Sequence, residues 1–189
     1  MPEGRPLPSR PDGHALLNVP NAITFARLCA VPLAIWLVLR RDVQWAFALF
    51  VAAGLSDAVD GWLARRQGGT PLGAMLDPVA DKLLLVSMYV TLAAISLLPD
   101  WLAILVVFRD VVIVGGVMVF WVMGQHIQIR PLWVSKLNTA AQILLIALAL
   151  LLGGFGLRAP RLLSALIWLV GFTTLSSGAA YVWLGARQR

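Results

Sequence analysis

Six apolar runs, at about 22–39, 43–64, 73–98, 100–124, 133–153 and 160–186, fill most of this 189-residue chain, and only short polar or charged breaks separate them. A helix crosses the hydrocarbon core of a bilayer with about 17–25 mainly apolar residues, so each run is of the right length for one span. The expected fold class is therefore all-α, a polytopic membrane protein with six transmembrane helices. Composition agrees, because 13% charged residues and 60% hydrophobic ones are far from the roughly 25% charged residues of a soluble domain. Arg40-Arg41-Asp42, the stretch 65–71, Pro99-Asp100, the stretch 125–130 and Arg158 to Pro160 form the breaks, and no separate soluble domain is expected. Residues 1–13 hold four prolines, two glycines and both signs of charge without an apolar run. The expectation is a mobile N-terminal tail over 1–17 and a six-helix membrane domain over 18–189.

Trp36, Trp45, Trp62, Trp101, Trp121, Trp133 and Trp183 fall near predicted helix ends, where an indole sits well at headgroup level; Trp168 lies further in. A net charge of +6 raises the question of nucleic acid, but the basic residues are spread as pairs at the ends of apolar runs and form no dense stripe. Membrane topology explains them, and no nucleic-acid partner is expected. Arg5, Arg10, Arg65, Arg66, Arg130, Lys136, Arg187 and Arg189 share one side, against Arg40, Arg41, Arg158 and Arg161 on the other. Both termini are thus expected in the cytoplasm, with the protein integral to a bacterial inner membrane. Cys29 is the single cysteine, and only His14 and His126 could join it, so an internal disulfide and a zinc site both drop out.

Chemistry concentrates in the acids. Of nine acidic residues, Asp57, Asp60, Asp77 and Asp81 fall within 25 positions of otherwise apolar helices. Asp57, Asp60, Gly61 and Ala64 are spaced i, i+3, i+4, i+7 and share one face of the second helix. Gly73, Asp77 and Asp81, at i, i+4, i+8, share a face of the third. The short 65–71 loop makes the two helices antiparallel neighbours with converging carboxylates. An Asp at the centre of a spanning helix costs roughly 2.5–3.5 kcal/mol, and four anions also repel one another, so a cation must share the site. Arg65 and Lys82 could supply it as a structural ion-pair network. An all-oxygen ligand set instead suits hard divalent ions, Mg²⁺ or Mn²⁺, and four carboxylates can hold two. Paired metals of this kind serve phosphoryl transfer.

The run Asp57-Ala-Val-Asp60-Gly61-Trp-Leu-Ala64-Arg65, followed by seven residues, Gly73, Asp77 and Asp81, resembles the signature of the CDP-alcohol phosphotransferase family. Many members have eight residues where this chain has seven, a difference that falls in the loop. The resemblance implies a six-helix membrane bundle, usually a homodimer, in which an alcohol attacks the lipid-side phosphorus of a CDP-linked donor and CMP departs. It implies that Asp57, Asp60 and Asp77 are the principal metal ligands, and that Asp81 completes the site and acts as general base. Gly61, Ala64 and Gly73 would admit the donor's cytidine diphosphate close to the helices, although small residues equally serve tight helix packing. Arg65 would contact phosphate; an isolated Arg at that depth also snorkels.

Asn18-Val-Pro-Asn21 with Thr24 and Arg27 resembles the family's entry to its first helix, where Asn21 and Thr24 would approach the nucleotide or cap the helix. Arg109-Asp110 and the segment from Arg130 through Ser135-Lys136-Leu137-Asn138-Thr139 look most similar to the cardiolipin synthases of this family, which join CDP-diacylglycerol to phosphatidylglycerol. Arg109, Arg130 and Lys136 are accordingly candidates for the acceptor phosphate, with a structural pairing of Arg109 to an acid equally open. The nearest alternative is phosphatidylglycerophosphate synthesis from glycerol 3-phosphate. A divalent-cation transporter is a distant one, because the membrane-distal halves of most helices carry no polar path. The expected partners are CDP-diacylglycerol, phosphatidylglycerol or another alcohol, membrane lipids and a second copy of the chain.

Overall fold

The structure, a computed structural model, describes the backbone of residues 19–67, 71–122 and 133–187, and side chains over 25–57, 59, 79–116, 133 and 135–180. The described elements are six helices: α1 (Val19–Leu39), α2 (Val43–Gln67), α3 (Pro71–Ala94), α4 (Asp100–Val122), α5 (Trp133–Phe155) and α6 (Pro160–Arg187). The expected 1–17 tail lies outside the described residues.

Backbone chemistry accounts for where α3 and α5 end relative to their apolar runs. α3 stops at Ala94 although the run continues to Leu98. Ser96 takes a left-handed φ of 62°, the Ser96 N–H donates to the Ala93 carbonyl at 2.7 Å, and the Leu97 N–H donates to Leu92 at 2.9 Å. This paired closure satisfies carbonyls that the helix leaves open, just ahead of Pro99, which cannot continue it. α5, in turn, passes through Gly153 and Gly154, and the turn falls at Gly156 with φ 65° and a bond from the Leu157 N–H to Leu152. α1 ends the same way at Arg41, with φ 66° and bonds from Arg41 to Val38 and Asp42 to Leu37, both 3.0 Å. All three turns close the ends of α1, α3 and α5 that lie opposite Arg27, Asp81 and the start of α5 along those helices. There the Arg41 guanidinium donates to the Ile95 carbonyl at 2.9 Å, tying the first turn to the second.

The helices form two rows laid against each other, α1–α3–α4 and α2–α5–α6, with α1 on α2, α3 on α5 and α4 on α6. Two four-helix quartets result, α1–α2–α5–α3 and α3–α5–α6–α4, sharing the α3 and α5 edge. α2 and α3 are not a packed pair over their described parts, which corrects the expectation of side-by-side neighbours. A short loop fixes the opposite direction of two helices, yet it does not stop α1 and α5 from packing between them further along. They therefore face each other on the diagonal of the first quartet.

Apolar side chains fill the interior, among them Val38, Phe50, Met88, Leu92, Leu102 and Leu150. The outside is apolar too: Phe25, Trp45, Ile104, Phe108, Trp168 and Phe172 are exposed. Among the described residues, Ser135–Phe155 and Pro160–Ala180 are long and apolar enough to cross a membrane, and Phe25–Leu39 and Val43–Asp57 are shorter apolar stretches.

Gly154 is where α5 meets the start of α2. A Cβ there would lie 2.8 Å from the Gln44 backbone nitrogen and 2.9 Å from its Cα, and backbone cannot swing aside as a side chain can. Gly154→Ala should therefore destabilise the folded protein by about 1–3 kcal/mol in a denaturation series in detergent. Gly115→Ala, where a Cβ meets nothing within 4 Å, should be neutral or stabilise by up to about 1 kcal/mol.

Candidate active site

Three helices each direct one charged side chain to the same place, and the same spacing does it on each. On α1 the inward stripe is Arg27, Val31, Ala34 and Val38; on α2 it is Ala46, Phe50, Ala53 and Asp57; on α3 it is Asp81, Leu85, Met88 and Leu92. Each stripe has its members three or four residues apart, so its charged residue lies on the face that the apolar members bury. The charges meet at one end of the first quartet. Arg27 Nη1 bonds Asp57 Oδ1 at 2.9 Å and Asp81 Oδ1 at 2.8 Å. The Arg27 side chain is 1% exposed, while those of Asp57 and Asp81 are 48% and 41% exposed. A sealed cation thus faces two carboxylates that remain open to a ligand. Beside them is a cavity of about 120 Å³, bounded also by Phe50, Gly54, Leu85 and Thr139, so all four helices of the quartet line it.

Asp57 and Asp81 are brought together as the sequence predicts. Asp60, Gly61, Ala64 and Arg65 continue α2, Gly73 and Asp77 belong to the first turns of α3, and Asn21 and Thr24 to those of α1. The side chains of these eight residues lie outside the described ones. Helical spacing alone keeps Asp60 one turn from Asp57, and Asp77 one turn from Asp81. Arg130 lies outside the described residues altogether. The donors described suit a hard divalent ion in kind: two carboxylate oxygens from different helices converge on one guanidinium nitrogen.

The cation that meets the acids is a correction. Lys82, considered above as a structural counter-ion, points away from them and donates to Asp110 Oδ1 at 2.8 Å. Arg27 bonds Asp57 and Asp81 in its place, and the Arg65 side chain lies outside the described ones. The signal for Arg27 was present in the α1 stripe, where an Arg stands in register with Ala34 and Val38.

A second charged cluster lies in the other quartet. Arg109 is buried; its Nη1 donates to Asp110 at 2.7 Å, and its Nη2 donates to Ser135 at 2.7 Å and Ser177 at 2.8 Å. Asp110 consequently serves both Lys82 and Arg109, and α3, α4, α5 and α6 are joined. Further along, Asn138 Oδ1 accepts from Thr173 and Thr174, each at 2.9 Å. Lys136 is exposed at the start of α5, its Nζ 5.4 Å from the centre of the Trp133 ring.

With that geometry in view, the comparisons with known proteins decide the family. Residues 17–176 match the family described as CDP-alcohol phosphatidyltransferase. The chain belongs to the CDP-alcohol phosphatidyltransferase family. It is 33% identical over 184 residues to "CDP-diacylglycerol--glycerol-3-phosphate 3-phosphatidyltransferase 1, chloroplastic" of Oryza sativa subsp. japonica, covering 87% of this chain and 56% of that protein. It is 30% identical over 189 residues to "Cardiolipin synthase (CMP-forming)" of Homo sapiens, covering 90% and 62%. A "CDP-diacylglycerol--glycerol-3-phosphate 3-phosphatidyltransferase" of Bacillus subtilis is 30% identical over 185 residues, covering 88% and 94%. The chain therefore spans less than two thirds of the rice and human proteins and nearly all of the Bacillus one. Members of this family are membrane enzymes and generally depend on a divalent metal.

Removing the shared acid of the second cluster leaves two buried or half-buried cations without it. Asp110→Ala should cost about 3–5 kcal/mol of stability in detergent, the usual penalty for breaking a buried ion pair on one side. Lys136→Ala, at an exposed ring contact, should stay within about 0.5 kcal/mol of the parent.

Proposed function

We propose that this protein is a cardiolipin synthase, transferring the phosphatidyl group of CDP-diacylglycerol to phosphatidylglycerol with release of CMP. The observation that carries the reading is the convergence of Asp57 and Asp81, from two diagonal helices, on one point at the end of the quartet. These are the first and last acids of the motif, and Asp60 and Asp77 fall on the same two faces. Asp57, Asp60, Asp77 and Asp81 would hold two Mg²⁺ or Mn²⁺ ions. Ions held there would neutralise the donor's diphosphate and stabilise the departing CMP.

The chain's own residues do the rest. The acceptor hydroxyl attacks the phosphorus that bears diacylglycerol, and its oxygen forms the new P–O bond as the bond to CMP breaks. Asp81 takes the hydroxyl proton; a hydroxyl is a weak nucleophile until a positioned base removes it. Gly61, Ala64 and Gly73 leave room for the donor's cytidine diphosphate, Asn21 and Thr24 approach the nucleotide, and Arg65 meets phosphate. Arg109, Arg130 and Lys136 are assigned to the acceptor's phosphate. For Arg109 the bonds to Asp110, Ser135 and Ser177 mean that the assignment requires an exchange of partners.

The setting is a membrane. All six helices span it in this reading, with an N-terminal tail over 1–17, both termini and the acids on the cytoplasmic side of a bacterial inner membrane, and a homodimer as the assembly. The apolar outer surface supports that reading, because a soluble monomer rarely exposes so much contiguous apolar area. A second reading has support of its own. The names of the rice and Bacillus relatives specify glycerol 3-phosphate as acceptor, and that acceptor also carries a phosphate for the same basic residues.

CMP release from CDP-diacylglycerol by purified protein in lipid micelles with Mg²⁺ separates these readings. Phosphatidylglycerol should support release and yield cardiolipin. Release with glycerol 3-phosphate alone would move the assignment to the second acceptor, and metal flux in liposomes without CMP release would make the protein a transporter. Asp81→Asn keeps an oxygen to accept from Arg27 but loses the base. It should lower turnover by at least about 10²–10⁴-fold while the protein stays folded.

A further inference from the structure

Arg27 occupies the one position where a further positive charge would be expected to bind. Its Nη1 stands within hydrogen-bond distance of the same two oxygens, Asp57 Oδ1 and Asp81 Oδ1, that the proposed metal site needs. The oxygens belong to different helices on a quartet diagonal, so what bridges them also holds α2 and α3 in place across the cavity. Arg27 cannot retire into water. Its side chain is 1% exposed and continues the stripe of Val31, Ala34 and Val38 that anchors α1. Lys82, the nearest other cation in sequence, is committed to Asp110. A divalent ion arriving at Asp57 and Asp81 therefore meets a fixed guanidinium that already uses their oxygens, and like charges in a partly buried site repel strongly.

We infer that Arg27 is a built-in competitor of the divalent ion, holding Asp57 and Asp81 together in the ion-free protein and weakening ion binding until the donor's diphosphate arrives. The diphosphate is the missing partner in charge. Its negative oxygens offset the repulsion between ion and guanidinium, so ion and donor each tighten the other's binding, as reciprocal coupling requires. An enzyme built this way takes up its ions with its substrate and keeps the carboxylates apart from stray cations at other times. The inference rests on the metal-site reading above.

Mn²⁺ binding to the full chain in detergent, followed by the loss of the free-ion electron paramagnetic resonance signal, tests it without turnover. Arg27→Gln should bind Mn²⁺ in the absence of nucleotide at least about fivefold more tightly than the parent, and the tightening that added CDP-diacylglycerol produces should shrink by a similar factor. Unchanged or weaker binding in Arg27→Gln, with the parent binding normally, would overturn the competition while leaving the metal site intact. A parent that binds no Mn²⁺ with or without donor would overturn the metal site itself. If Arg27→Gln does not fold, Arg27→Met decides. Its side chain continues the buried stripe of Ala34 and Val38 without a charge, so ion-only Mn²⁺ affinity should rise; an affinity equal to or below the parent's overturns the proposal.

Discussion

One nitrogen bonded to two carboxylates organises the functional end of this bundle. Asp57 and Asp81 sit on helices that are not a packed pair over their described parts, and their like charges would drive those helices apart in a low-dielectric setting. Arg27 reverses the sign of that interaction. It does so from a third helix, with the guanidinium sealed inside and the carboxylates left partly open. Had the acids been buried as deeply as the Arg, the arrangement would be a closed structural ion pair of little use to a ligand, and a costly one to assemble. The asymmetry in exposure leaves both carboxylates partly in contact with solvent while the guanidinium is sealed.

α3 carries charge into two compartments at once. Adjacent residues on a helix point about 100° apart, so Asp81 can face Arg27 and Asp57 in the first quartet while Lys82 reaches Asp110 in the second. Among the described side chains, the first cluster sets Asp57 and Asp81 against Arg27, and the second sets Lys82 and Arg109 against Asp110. α3 is the wall between the two clusters. The hydroxyls of Ser135 and Ser177 on Arg109, and the Thr173 and Thr174 bonds to Asn138, give the second quartet polar cross-links that lipid-facing surfaces could not provide.

The six helices and the inward faces that carry Asp57 and Asp81 were legible in the sequence, because apolar run length and the 3.6-residue period are local properties. The helix end at Ala94 was less so: hydropathy does not register the left-handed turn at Ser96 that closes α3, whereas the glycines from Gly153 to Gly156 mark the end of α5 in the sequence itself. Lateral order was hidden for a different reason. Periodicity says which face is buried but not which helix covers it, so the insertion of α1 and α5 between α2 and α3 could not be read from a short loop. The choice of partners followed from that order. Arg27 reaches across 54 residues to Asp81, and Lys82 across 28 to Asp110, and neither pairing is marked by closeness in sequence.

The central claim is that the acids of α2 and α3 form a divalent-metal centre for phosphatidyl transfer. The most direct measurement is anomalous diffraction from crystals of the protein grown with Mn²⁺ and CDP-diacylglycerol. Anomalous density is expected within carboxylate bonding distance of Asp57, Asp60, Asp77 and Asp81, with Arg27 no longer bridging Asp57 and Asp81. Density absent from that place in a donor-bound crystal, with the Arg27 bridge intact, would contradict it.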